Sequence, residues 1–167
     1  MCMSIHRLSS IPFFVLFIVN WLKAEESLCE QGIVETAVLT LRKKFFVSDQ
    51  NVNCNDPMQV HLLYVQLRDA IINGTLPCTR DESVHLAALQ CQIVHGNHDK
   101  QKQKSGFLDL HKFLPDQYTK QKGIEKLIFI AYHKLFNTSE VNAKLKYIQF
   151  CQSLRTYGIT FFHVKVH

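Results

Sequence analysis

The chain has 167 residues, 47% of them hydrophobic, which suits one or two small domains with a real core. Its net charge of +5 is unevenly placed: residues 1–96 carry seven Lys/Arg against nine Asp/Glu, and residues 97–167 carry twelve against five. The six cysteines, at 2, 29, 54, 78, 91 and 151, contain no CxxC pair and no tight framework, which favours reduced thiols over a disulfide scaffold.

From the N-terminus, Arg7 precedes a nine-residue apolar run, IPFFVLFIV at 11–19, and Leu22-Lys23-Ala24 offers a cleavage-like site. This is the format of a signal peptide and is too short for a membrane span. The sequons Asn73-Gly74-Thr75 and Asn137-Thr138-Ser139 agree with export. Residues 27–32 read as a short helical turn ending at Gly32. Residues 36–42 then alternate, with Ala37, Leu39 and Leu41 facing one way.

Residues 56–156 read as all-helical. Asp56 and Pro57 supply an N-cap and a preset first turn, and Val60, Leu63, Tyr64, Leu67 and Ile71 form one apolar stripe stopped by Gly74. Thr79-Arg-Asp-Glu82 is a capping box opening a second helix, with Val84, Ala87, Ala88, Cys91 and Val94 along its face. Pro115 and Gly123 bracket short helical pieces over 107–122, where Phe107 and Phe113 fall at core-like spacings. A third long helix buries Ile124, Leu127, Ile128, Ala131 and Leu135, and a last one, capped at 137–139, turns Val141, Leu145, Ile148 and Leu154 inward. Four main helices with short connections predict a compact bundle. From Ile159 the pattern changes to a period of two, with Phe162, Val164 and Val166 on one side, as in a strand.

The segment able to carry binding is 97–126. Lys100, Lys102 and Lys104 alternate within a loop, and Lys120, Lys122 and Lys126 surround Gly123. Basic asymmetry of this kind calls for an anionic partner: a lipid headgroup surface, a nucleic acid or an acidic protein. Nucleic acid would want aromatics or arginines between the basic residues, and the 100–104 loop has none. Catalysis finds no nucleophile elbow, P-loop or glycine-rich dinucleotide fingerprint. Asp81 and Glu82 read as first-turn carboxylates favoured by the helix dipole, and His61 and His85 as ordinary helix histidines. His95 and His98 are the only close histidine pair and nothing completes a zinc set, so no metal and no cofactor are expected.

Three stretches are specific enough to carry a resemblance: LRKKFFVSDQNVNCNDPMQVHLLYVQLRDAIINGT (41–75), LQCQIVHGNHDKQKQKSGFLDLHKFLPDQYTKQKG (89–123) and SLRTYGITFFHVKV (153–166). Over residues 20–166 the chain resembles a talin FERM domain. The resemblance implies a mainly α fold: a FERM central helical lobe, like the bundle of acyl-CoA-binding proteins, at 48–157. It is flanked by the tail of an incomplete ubiquitin-like lobe at 20–47 and the first strand of a phosphotyrosine-binding-like lobe at 158–167. Fold likeness transfers no acyl-CoA site. Within that frame the strand at 36–42 has lost most of its pairing partners. Residues 1–19 are then a signal-like segment or a misannotated start replacing the rest of the lobe, expected to pack poorly or to form a lone helix.

The resemblance also implies a non-enzymatic membrane–cytoskeleton adaptor at the cytoplasmic face of the plasma membrane, part of integrin–actin linkage. In that pattern the second lobe presents a basic patch to phosphoinositide membranes, matched here by Lys102, Lys120 and Lys122. The next basic position of the motif is Glu125 here, which weakens the patch, with Lys100 placed to compensate. The alternative is a secreted or membrane-tethered helical protein directed by the N-terminal apolar run.

Overall fold

The computed structural model describes residues 2–6, 19–42 and 55–159, and the chain divides into two compact units, 1–46 and 47–167. The first unit holds a three-stranded antiparallel sheet of β1 (Cys2–His6), β2 (Val19–Trp21) and β3 (Leu39–Arg42). The order is β2-β1-β3, with Ser4 opposite both Trp21 and Thr40. Two expectations change here. The strand expected at 36–42 begins at Leu39, because Ala37 N–H donates to Val34 O and closes a turn before it. Nor is that strand an orphan: β1 supplies the backbone partners that an isolated edge would leave open. Residues 2–6 and 19–21 are paired strands and not a lone helix, while most of the apolar run lies outside the described residues.

The turn expected at 27–32 is present. Ser27 and Glu30 cap each other, with Ser27 N–H and Oγ donating to Glu30 Oε2 at 2.8 and 2.7 Å, and Gly32 closes it at φ +70°.

The second unit is the bundle, built from α1 (Pro57–Ile72), α2 (Arg80–His95), a 3-10 turn (Leu110–Lys112), α3 (Asp116–Thr119), α4 (Ile124–His133) and α5 (Glu140–Ser153). Both expected caps form. Asp56 Oδ1 accepts from Met58 N at 3.0 Å and Gln59 N at 3.2 Å. Thr79 and Glu82 exchange the reciprocal bonds of a capping box. Each such cap contributes about 1 kcal/mol. Helix α1 buries the stripe that its periodicity predicts, Val60, Leu63, Tyr64, Leu67 and Ile71.

Helix α2 is the centre of the bundle, packed against α4 on one side and α5 on another, while α1 packs on α5. A helix held between two neighbours buries more than one stripe. Leu86, Leu89, Gln90 and Gln92 therefore join Val84, Ala87, Ala88 and Cys91 in the interior. Gln92 Nε2 is satisfied there by Thr138 O at 2.7 Å and Gln90 Nε2 by Lys112 O at 2.7 Å. Burial raises the Cys91 thiol to about 12 and the Cys78 thiol to about 11, so both behave as small hydrophobes.

Three inward assignments fail, at Val94, Phe107 and Val141. Val94 is 57% exposed and Phe107 43%, because both line an open cavity of about 640 Å³ with Ile72, Phe113 and the Arg68–Asp69 ion pair. On α5 the interior side is Ala143, Tyr147, Ile148, Cys151 and Leu154, leaving Val141 exposed in the first turn and Leu145 half-buried. On α4, Ile124, Ile128 and Tyr132 are fully buried, with Leu127, Ala131 and Leu135 packed around them. The strand expected at 159–166 lies outside the described residues, apart from Ile159.

Candidate functional site

The loop that joins α2 to the 3-10 turn is short of apolar residues, so its conformation rests on hydrogen bonds. It leaves α2 at Gly96, whose carbonyl accepts from Tyr132 Oη at 2.5 Å. Asn97 Oδ1 then accepts from Gln92 Nε2 at 3.1 Å and Asn137 N at 2.9 Å. His98 lies flat against Phe129, with ring centroids 5.3 Å apart and planes 15° apart, and also touches Tyr132 and His133. Next comes a tight turn. Gln103 N–H donates to Asp99 O at 2.9 Å, Gln101 N–H to Asp99 Oδ1 at 2.9 Å, and the Gln103 side chain accepts from Asp99 N–H at 3.1 Å. Lys100 and Lys102 ride on that turn.

At its other end the loop is fixed by Glu125, in the first turn of α4. Its carboxylate accepts from Gly106 N at 2.8 Å, Leu108 N at 3.1 Å and Ser105 Oγ at 3.3 Å. Gly106, at φ +87°, makes the bend that a residue with a Cβ would resist. The loop thus runs antiparallel along α4, from the level of Tyr132 and His133 back to Glu125, a span of about 10 Å at the helical rise.

This frame places the lysines. Lys104 lies beside the Glu125 clamp, near the start of α4 where Lys122 and Lys126 flank it. Lys120 caps α3 just before. Lys100 and Lys102 lie toward the far end of α4, so Lys100 does not replace the charge missing at Glu125. All six are exposed. Among the described residues, the one ion pair any of them makes is Lys102 to Asp99 at 3.8 Å, and an exposed pair of that kind contributes about 0–1 kcal/mol. Glu125 accepts from two backbone amides and the Ser105 hydroxyl and, among the described residues, makes no ion pair with a lysine.

Arg80, at the start of α2, joins this surface and has no sequence signal for it. Its Nε donates to Gln121 Oε1 at 2.8 Å, in the segment between Lys120 and Lys122, while its Nη1 pairs with Asp81 at 3.4 Å. The other lysines differ. Lys112 pairs with Asp109 at 3.2 Å and lines the cavity, and Lys144 is buried against Glu140 at 2.5 Å. Among the described residues no three His, Cys, Asp or Glu side chains converge on a metal position, and no helix is long and apolar enough to cross a membrane.

His98 makes the loop sensitive to pH. Burial, then the neighbouring His133 and Lys100, push its pKa below the ordinary value. A histidine depressed on folding binds fewer protons folded than unfolded, so stability is full above its unfolded pKa of about 6.5 and falls as pH drops below it. His85 and His95 are depressed in the same direction by burial. Melting midpoints are therefore expected to fall between about pH 7.5 and 5.5, and His98→Phe, which keeps the stacking, is expected to flatten part of that fall. Identical pH profiles for the two proteins would remove His98 from this account.

Comparison with known proteins agrees with this architecture. The FERM central domain family matches residues 49–162. The talin of Oscarella pearsei is 55% identical over 149 residues, and talin-1 of Gallus gallus 51% identical over 147, each alignment covering 88% of this chain. The chain spans 6% of the length of these relatives. In structure it is similar to the FERM and C-terminal domain complex of Drosophila Merlin, with a TM-score of 0.76 at 22% identity, over 96% of this chain and 55% of that one. At that identity the likeness speaks for fold alone. The secreted alternative gains no support from these relatives. The chain belongs to the FERM family, as a talin-like sequence built around the FERM central helical lobe.

Proposed function

We propose that this chain is a non-enzymatic adaptor element whose lysine face docks on anionic phosphoinositide membranes. The observation that carries the reading is the 97–126 surface: six exposed lysines with a single weak ion pair among them, three on a loop clamped to α4 at both ends and three around the start of α4. Clamping matters because an ordered loop surrenders less conformational entropy on docking than a free one. Lysines near an anionic leaflet each contribute about 1 kcal/mol. Four engaged together give roughly 4 kcal/mol, about a thousandfold enrichment and a reversible attachment.

Talin and FERM relatives form a family of membrane–cytoskeleton adaptors, which suits a domain offering a charged surface. Integrin cytoplasmic tails and actin are the partners we propose for the longer assembly at the cytoplasmic face of the plasma membrane. The lysine face itself is assigned to lipid. Co-sedimentation of the full chain with vesicles tests the assignment: strong pelleting with phosphoinositide-containing vesicles and none with neutral phosphatidylcholine is expected. Equal pelleting with both would refute it.

A further inference from the structure

We infer that Ser105 is a phosphoacceptor for a basic-directed serine/threonine kinase, and that its phosphate switches off the lysine face. This inference rests on the docking reading above. Ser105 is exposed, lies outside any helix, and follows Lys104, Lys102 and Lys100 at one, three and five residues upstream. Kinases choose substrates by charge pattern, and a run of alternating lysines before an accessible serine is the pattern an acidic substrate groove reads. The segment is reachable because the turn of 104–107 is held by one backbone bond, Phe107 N–H to Lys104 O at 3.0 Å, and by the Glu125 clamp at the surface.

The chemistry is ordinary phosphoryl transfer from ATP. The bond from the γ-phosphorus to the β-phosphate oxygen breaks, the bond from Ser105 Oγ to that phosphorus forms, the hydroxyl proton passes to the kinase's base, and ADP leaves. The consequence follows from where Ser105 sits. Its Oγ is 3.3 Å from Glu125 Oε2 and one residue from Lys104. A phosphoserine brings a charge of about −1.5 to −2 into that spot. It therefore cancels about two of the positive charges on the face, and its repulsion of the Glu125 carboxylate strains the bonds to Gly106 N and Leu108 N that hold the loop. With each lysine charge worth a factor of about five in membrane affinity, cancelling two lowers vesicle binding roughly thirtyfold.

The test treats the full chain and its Ser105→Ala variant with a basic-directed kinase and ATP, locates the phosphoryl group by mass spectrometry, and measures binding to phosphoinositide vesicles before and after. The expected result is one phosphoryl group on Ser105, missing in the variant, with vesicle binding reduced about thirtyfold in the modified wild type and reduced also in Ser105→Glu. Failure to modify Ser105 by a kinase that modifies a control peptide would overturn the inference. So would modification, or Ser105→Glu, that leaves vesicle binding unchanged. If the unmodified chain ignores the vesicles, the docking reading falls with the switch, and the mass result alone decides the phosphoacceptor assignment.

Discussion

Reversing Lys102, Lys120 and Lys122 together to Glu is expected to abolish binding to phosphoinositide vesicles. Each reversal removes about 1 kcal/mol of attraction and adds a similar repulsion. Three of them shift the balance by roughly 6 kcal/mol, more than the roughly 4 kcal/mol that four engaged lysines supply. The fold should be indifferent, because all three side chains are exposed and none belongs to the core. Losing the 3.8 Å contact of Lys102 with Asp99 costs little at the surface. The proper control is Lys146→Glu, on the exposed side of α5. Lys144 would mislead, since it is buried over the Tyr64 ring and paired with Glu140, and its reversal would bury a carboxylate and set it beside that of Glu140. Co-sedimentation with helix content checked by circular dichroism decides it: retained binding in a folded triple variant would show these lysines to be plain solvated surface.

Replacing Ile128 by Ala should have the largest effect on stability. Ile128 is fully buried in the cluster that joins α4 to Ala87, Ala88 and Cys91 of α2 and to Leu114 beyond the loop. Emptying such a site costs about 2–5 kcal/mol, out of a total of about 5–15 kcal/mol for a domain. Ile130, two residues along the same helix, is 51% exposed, and its change to Ala should stay within about 0.5 kcal/mol. Denaturant midpoints measure the contrast, and equal losses for the two variants would contradict the packing described for α4.

What the sequence revealed follows from how local each cause is. The α1 stripe is legible because α1 packs on one side, where a 3.6-residue period maps directly onto burial. On α2 the same reasoning finds Ala87, Ala88 and Cys91 but not Leu86, Leu89, Gln90 and Gln92, which a second neighbouring helix buries. The α5 face is misjudged because Ala143, Tyr147 and Cys151 are weaker apolar signals than Val141, which the first turn leaves in solvent. Caps at Asp56 and Thr79 are read correctly because their partners lie within three residues.

The site follows the same rule. Its lysines are visible as a charge pattern, yet Glu125 reads as a flaw in that pattern. Its role depends on amides 17 and 19 residues away, which no periodicity reveals. Arg80 escapes for the same reason, since Gln121 is 41 residues distant. The partner of β3 lies in the segment read as signal-like, and only the register of the sheet discloses it.

The proposed docking rests on screened attraction between the 97–126 face and an anionic membrane. The most direct measurement is binding of the wild-type chain to phosphoinositide vesicles at low salt and at physiological ionic strength, where the Debye length falls from about 30 Å to about 8 Å. Binding that drops steeply across that range is the predicted result; binding that ignores salt would contradict it.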